Sequence, residues 1–193
     1  MRTSLISAAS EIMSKKGVDA TTMLEIAEQA DVGAGTVYNY FNSKDELAVA
    51  VLEDMMHDLA QRIEKVTTTF EDPAQVYLYG IRTVLNAATH DMRWRQLLNR
   101  SEVIADAIYR RMGPFAIRDL RQATEAGRFS TPDPELIWRM ATHSIVGVSL
   151  AITNGELSQD SLPEVILRLL CMTGIDIETA RQIAAMPSPD LIL

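Results

Sequence analysis

Cysteine is nearly absent from the chain: Cys171 stands alone among 193 residues, which excludes a disulfide framework and a cysteine-based zinc site. Histidine is scarce as well. His57, His90 and His143 lie on separate segments with none four residues from another, so no metal site is expected. Long apolar runs are missing, and nothing approaches the ~18 uninterrupted residues of a membrane span. Ser7, Ser10 and Glu11 break up the segment after Met1 that a secretory signal would keep apolar. A soluble cytoplasmic protein with no membrane partner is the expectation. No stretch alternates apolar and polar residues in strand fashion, and no internal repeat is present. Neither a nucleophile–base–orienter set nor a phosphate-cradling glycine loop stands out, so neither an enzyme nor a cofactor is expected. Basic residues are the last deficit. With 18 Lys+Arg against 26 Asp+Glu the formal charge is −8, which by itself argues against a nucleic-acid partner.

What remains is helix. Of the 9 glycines and 7 prolines, more than half gather at 33–35, 113–114, 127–134 and 187–189, and good helix formers fill most of the intervals. Leu5, Ala9, Ile12 and Met13 form the one-sided stripe of a first helix, which Lys15-Lys16-Gly17 closes. Thr22 with Glu25 has capping-box spacing and opens a short second helix with Ile26, Ala27 and Ala30 inside. A third short helix covers roughly 34–41. Ser43-Lys44-Asp45-Glu46 starts a long fourth helix, whose inner positions run from Leu47 through Val51, Met55, Leu59 and Ile63 to Val66. After Glu71-Asp72-Pro73 the spacing predicts helices over 73–90, 92–101, 103–126, 134–153, 162–172 and 177–186, with Pro114 breaking or kinking the third of these. The fold class is therefore all-α: a three-helix head (1–46), and a helical body (47–193) joined to it by the helix 43–68.

Residues 21–47 read TTMLEIAEQADVGAGTVYNYFNSKDEL. Two short helices joined by a tight turn, with small Ala27 at their crossing and Asp31 in the turn, make a helix-turn-helix. Val37 and Phe41 point the third helix inward. Gly33, Ala34, Thr36, Asn39 and Tyr40 are left on or beside its outer face. Small groups at Gly33, Ala34 and Gly35 let that helix start approach another molecule closely, with backbone N–H groups suited to phosphate. Thr36, Tyr38, Tyr40 and Lys44 add hydroxyl and ammonium donors, and Asn39 has the geometry to read a base edge. Thr22 is first a helix cap. Thr21-Thr22…Ile26-Ala27, Ala30, Val32, Gly35-Thr36-Val37-Tyr38, Tyr40-Phe41 and Ser43-Lys44-Asp45-Glu46-Leu47 together strongly resemble the N-terminal half of the tetracycline-repressor (TetR) family. The resemblance covers about residues 5–60, and the body matches only in length and helical character. Two positions depart from it: Asp31 stands where the family commonly has Gly, and Gly33 where it commonly has Ser. No basic arm precedes the first helix in this sequence.

The resemblance implies a homodimeric, ligand-responsive regulator of transcription, cytoplasmic and associated with the nucleoid. It would most simply be a repressor released from a palindromic double-stranded DNA operator by a small-molecule effector. DNA contacts are expected from Thr22, Gly33, Ala34, Gly35, Thr36, Tyr38, Asn39, Tyr40 and Lys44, besides a phosphate role for Thr22. Ten methionines and scattered aromatics suit a deformable cavity. Tyr77, Arg82, Trp94, Tyr109 and His143 are the candidate effector wall, chosen for their chemistry. Trp138, Ala141, Ile145, Val148 and Ile152 step along one face of 134–153 and are the candidate dimer interface, with Ser144, Gly147 and Ala151 allowing close approach. The alternative is a DNA-bound adaptor whose filled body recruits a protein and takes no small molecule.

Overall fold

A computed structural model describes residues 1–97 and 101–190. The head holds α1 (Arg2–Lys16), α2 (Met23–Gln29) and α3 (Ala34–Tyr40), and the long α4 (Lys44–Thr67) leaves it for the body. The body contains α5 (Pro73–His90), α6 (Met92–Leu97), α7 (Ser101–Glu125), α8 (Pro134–Thr153), α9 (Leu162–Cys171) and α10 (Ile177–Ala184). Among the described residues no strand occurs, so the all-α fold expected from the sequence is the fold observed. The expected helix 92–101 is confirmed through Leu97, and its next three positions lie outside the described residues. A short 3₁₀ turn at Gln159–Ser161, ahead of α9, has no counterpart in the spacing argument.

The starts of the helices follow their caps. Thr22 Oγ1 accepts from Glu25 N while Thr22 N donates to the Glu25 carboxylate, a complete capping box. Ser43 accepts from Glu46 N, but Glu46 reaches back to Asn42 N, one residue earlier than a capping box requires. Asp72, Asp133 and Asp176 cap α5, α8 and α10 with their carboxylates. Asp31 takes the left-handed conformation, φ 53°, so the turn tolerates it where glycine is usual in the resembling family.

In the body, α7 is the central element and packs on α4, α5 and α8. Pro114 does not end it: the helix runs through Gly113-Pro114 without a break. Gly113 serves packing instead. A Cβ there would lie 3.3 Å from Trp138 Nε1, so the missing side chain lets the indole of α8 lie on α7. That indole is 2% exposed and its N–H donates to Tyr109 O at 3.3 Å.

Trp138, Ala141 and Ile145, expected at a dimer interface, are buried in the subunit's own core, and Val148 and Ile152 are half-buried. By length and composition α8 could cross a bilayer, and this evenly apolar character hid which side is buried. The outward side carries Leu136 and Met140, 53% and 44% exposed, with exposed Gly147 further along. Truncating a buried indole costs about 3–5 kcal/mol. Trp138→Ala should lose that much in urea unfolding, and a loss under about 1 kcal/mol would contradict the placement.

Candidate nucleic-acid interface and body cavity

Val37 and Phe41 are fully buried and fix α3 against the head, which leaves its other side open. Tyr38 and Tyr40 are 55% and 43% exposed, Asn39, Gly33 and Gly35 are exposed, and Ala34 and Thr36 are half-buried. Gly33 adopts an ordinary extended conformation, φ −69°, and a Cβ at either glycine would meet nothing within 4 Å. Neither backbone geometry nor internal packing therefore requires glycine at these two positions. Thr22 is exposed at the start of α2. Lys44, half-buried, donates from Nζ to Asp19 O at 2.8 Å and so reaches the turn that leads into Thr22.

Of the four cations in residues 1–50, Lys15 pairs with Glu11 at 2.7 Å and Lys16 with Glu25 at 2.5 Å. The Lys16 ammonium and the Thr22 bonds hold the Glu25 carboxyl down at about 2, so it stays ionised across the physiological range. Arg2, which the sequence argument passed over, has its guanidinium carbon 5.1 Å from the Phe41 ring centroid. Sequence reasoning could not see that contact, because it joins the two ends of the head.

The body encloses a second feature. Ala60 and Ile63 of α4, Tyr77 and Ile81 of α5, Phe115 and Asp119 of α7, and Trp138 of α8 line a cavity of about 30 Å³. That is room for about one water. The Tyr77 hydroxyl is buried and finds no hydrogen-bond partner among the described residues. Burial, then the Asp119 charge, raises its phenol above the ordinary range. The Asp119 carboxylate is nearly buried and shares Arg118 with Glu64 of α4. Arg118 Nε donates to Asp119 Oδ1 at 2.9 Å, while its two terminal nitrogens bind the Glu64 carboxylate at 2.7 and 2.6 Å.

Of the five residues expected at an effector wall, the structure brings only Tyr77 to this cavity. Arg82 lies on an outer groove of about 500 Å³ between α5, α9 and α10, where Nη2 donates to Ala184 O at 2.6 Å. Trp94 is buried at the junction with the head, beside Ser10 and Arg93. Tyr109 lies beneath Arg139, whose guanidinium carbon is 3.4 Å from the ring centroid. His143 is exposed and bonds Arg139 O on its own helix. Chemistry alone selected these side chains, and helix rotation placed four of them elsewhere. Asp119 was missed because Arg118-Asp119 reads as an ordinary surface pair.

Burial pushes the Asp119 carboxyl up to about 6, against the pull of Arg118. The native state thus holds this proton more tightly than the unfolded chain does, and stability falls as pH rises from about 4 to about 6. Asp119→Asn removes this dependence. It should match the wild type near pH 4 and exceed it by about 1–3 kcal/mol in urea unfolding above pH 6.5. A constant difference between the two proteins across that range would contradict the assignment.

Known proteins bear on both features. Residues 5–51 match the family described as bacterial regulatory proteins, tetR family, and residues 72–186 match the tetracyclin repressor-like C-terminal domain. The chain is similar over its whole length to the crystal structure of RolR in complex with the ligand resorcinol. The TM-score is 0.87 at 31% identity, covering 99% of this chain and 96% of that one. It is 28% identical over 125 residues to the HTH-type transcriptional activator FasR of Mycolicibacterium smegmatis, 65% of this chain and 54% of that protein. The HTH-type transcriptional repressor KstR of the same organism is 29% identical over 106 residues, 55% of this chain and 52% of that protein. The chain thus spans about half the length of these curated relatives. With both its head and its body matched, the chain belongs to the TetR family of helix-turn-helix regulators of transcription.

Proposed function

We propose that the chain acts as a homodimeric repressor that a small molecule releases from a palindromic operator. The observation that carries DNA binding is the outer side of α3. Gly33 and Gly35 are glycines that neither the fold nor the packing requires, flanked by exposed Tyr38, Asn39 and Tyr40. An approaching sugar–phosphate backbone supplies the missing requirement. Thr36, Tyr38, Tyr40, Lys44 and Thr22 position the head on phosphates, and Asn39 reads a base edge in the major groove. Two heads then engage half-sites on one face of the duplex, near multiples of the ~34–36 Å repeat.

The second copy is proposed to pack on the outward side of α8. Leu136 and Met140 provide apolar area there. Gly147, with open space where a Cβ would stand, and the neighbouring Ser144 and Ala151 allow two helices to approach closely. Packing α9 beside it would give a four-helix interface, through the side of α8 opposite to the face that the sequence suggested.

For the effector, the cavity of Tyr77, Phe115, Asp119 and Trp138 is favoured over the outer groove. It combines aromatic walls with one buried phenol lacking a partner and one buried carboxylate. A hydroxylated aromatic ring suits that set: its hydroxyl donates to Asp119 and accepts from Tyr77. The crystal structure of RolR, similar over the whole chain, holds resorcinol, which supports the same ligand class here. At about 30 Å³ the space is smaller than any such ring, so entry requires α4, α5 and α7 to move apart. Binding is thereby tied to a displacement of α4.

Selection of operators from genomic fragments, followed by titration with resorcinol, tests this reading. The expected result is an enriched two-half-site sequence from which resorcinol releases the protein; no enriched sequence would overturn it. Gly35→Leu adds a side chain where the free protein has space. It should leave thermal stability unchanged or slightly raised, while operator affinity falls at least tenfold. Unchanged affinity would remove α3 from the interface.

A further inference from the structure

Helix α4 is not the only tie between body and head. Gln96, near the end of α6, extends its side chain to the turn after α1. Its Oε1 accepts from Val18 N at 2.5 Å and from Asp19 N at 3.2 Å. Val18 is buried, so without Gln96 its N–H would lie away from water without an acceptor. Gly17 is shaped to the same contact. It has φ +84°, and a Cβ there would lie 2.4 Å from Gln96 Nε2. One residue of the clasped turn also serves the DNA side of the head, since Asp19 O receives Lys44 Nζ at 2.8 Å. A second strut runs parallel: Arg93 Nη1 donates to Ser10 Oγ of α1 at 3.1 Å, while Asp91 holds the same guanidinium at 2.7 Å. Trp94 and Leu97, on the same helix, are buried and anchor α6 to the body.

A head carried by α4 alone could rock about the junction near Ser43. A second attachment, displaced from that axis, removes the freedom. We propose that Gln96 is a positioning residue: through its clasp on Val18 and Asp19 the body sets the orientation of the DNA-binding head, and with it the spacing of the two heads on an operator. It touches no DNA itself. The acceptor oxygen is the part that matters, and α6 transmits the position of the body to the turn that holds Lys44.

The spacing role rests on the dimeric, two-half-site reading above, whereas the clasp can be measured without DNA. In free wild-type protein the amides of Val18 and Asp19 should exchange slowly with solvent. Gln96→Ala should speed both at least tenfold, and Gln96→Glu, which keeps an acceptor oxygen, should restore them. On DNA, the wild type should discriminate against an operator carrying one extra base pair between its half-sites. Gln96→Ala should reduce that discrimination at least fivefold and leave affinity for a single half-site unchanged. A purely structural role would weaken binding to all three DNAs together. Unchanged exchange overturns the clasp. Faster exchange with intact spacing discrimination overturns the positioning role. If wild-type protein binds DNA without any spacing preference, the two-half-site reading falls and the positioning role with it, while exchange still decides the clasp.

Discussion

Helix α4 packs into both the head and the body, whose buried apolar residues form one continuous cluster, and the rest of the structure is arranged around that constraint. Its first turns bury Leu47, Val51 and Leu52 next to the head, and its later turns present Ala60 and Ile63 to the body cavity. The helix is one uninterrupted rod of 24 residues without proline or glycine inside it. A rod cannot be pushed at one end and remain still at the other. Carboxylates on it tie it to α7 at two levels, Glu53 to Arg111 at 2.5 Å and Glu64 to Arg118 at 2.6 Å. These partly exposed pairs are worth little as stability. Their importance lies in geometry: Arg118 also serves Asp119 at the cavity, so a ligand that claims the Asp119 carboxylate alters what holds Glu64.

The head was largely legible in the sequence because its determinants are local. The Thr22–Glu25 box, the left-handed turn at Asp31 and the inward pair Val37 and Phe41 each lie within a few residues of their partners. The body was legible in its helices, but the lining of its cavity was not. The cavity gathers residues from 60 to 138, and no spacing rule connects Ala60, Tyr77, Asp119 and Trp138. On α8, apolar residues occupy both sides, so periodicity marked a face without saying whether it met the subunit's own core or another chain. Pro114 signalled a break or a kink; the helix does not break there, and Gly113 beside it makes room for the Trp138 indole.

The acidity that first argued against DNA has a structural answer in the head. Residues 1–50 hold seven acids against four cations, yet Glu11 is engaged by Lys15 and Gln29, and Glu25 by Lys16 and Thr22. These pairings occupy cations as well as acids, while Arg2 lies against the Phe41 ring and Lys44 donates to Asp19 O. In the proposed DNA-binding mode, recognition through this head would depend on hydroxyls, backbone N–H groups and close approach more than on a field of charge. Such binding is less sensitive to salt than that of a strongly basic domain.

If filling the body cavity moves the heads through α4, the distance between the two heads of the proposed dimer must change with it. Spin labels at Glu28→Cys, exposed on α2, in a Cys171→Ser background give that distance by pulsed electron resonance. With resorcinol bound, as established by calorimetry on the same sample, the distribution should shift by several ångströms. Binding at the cavity with an unmoved distribution would contradict it.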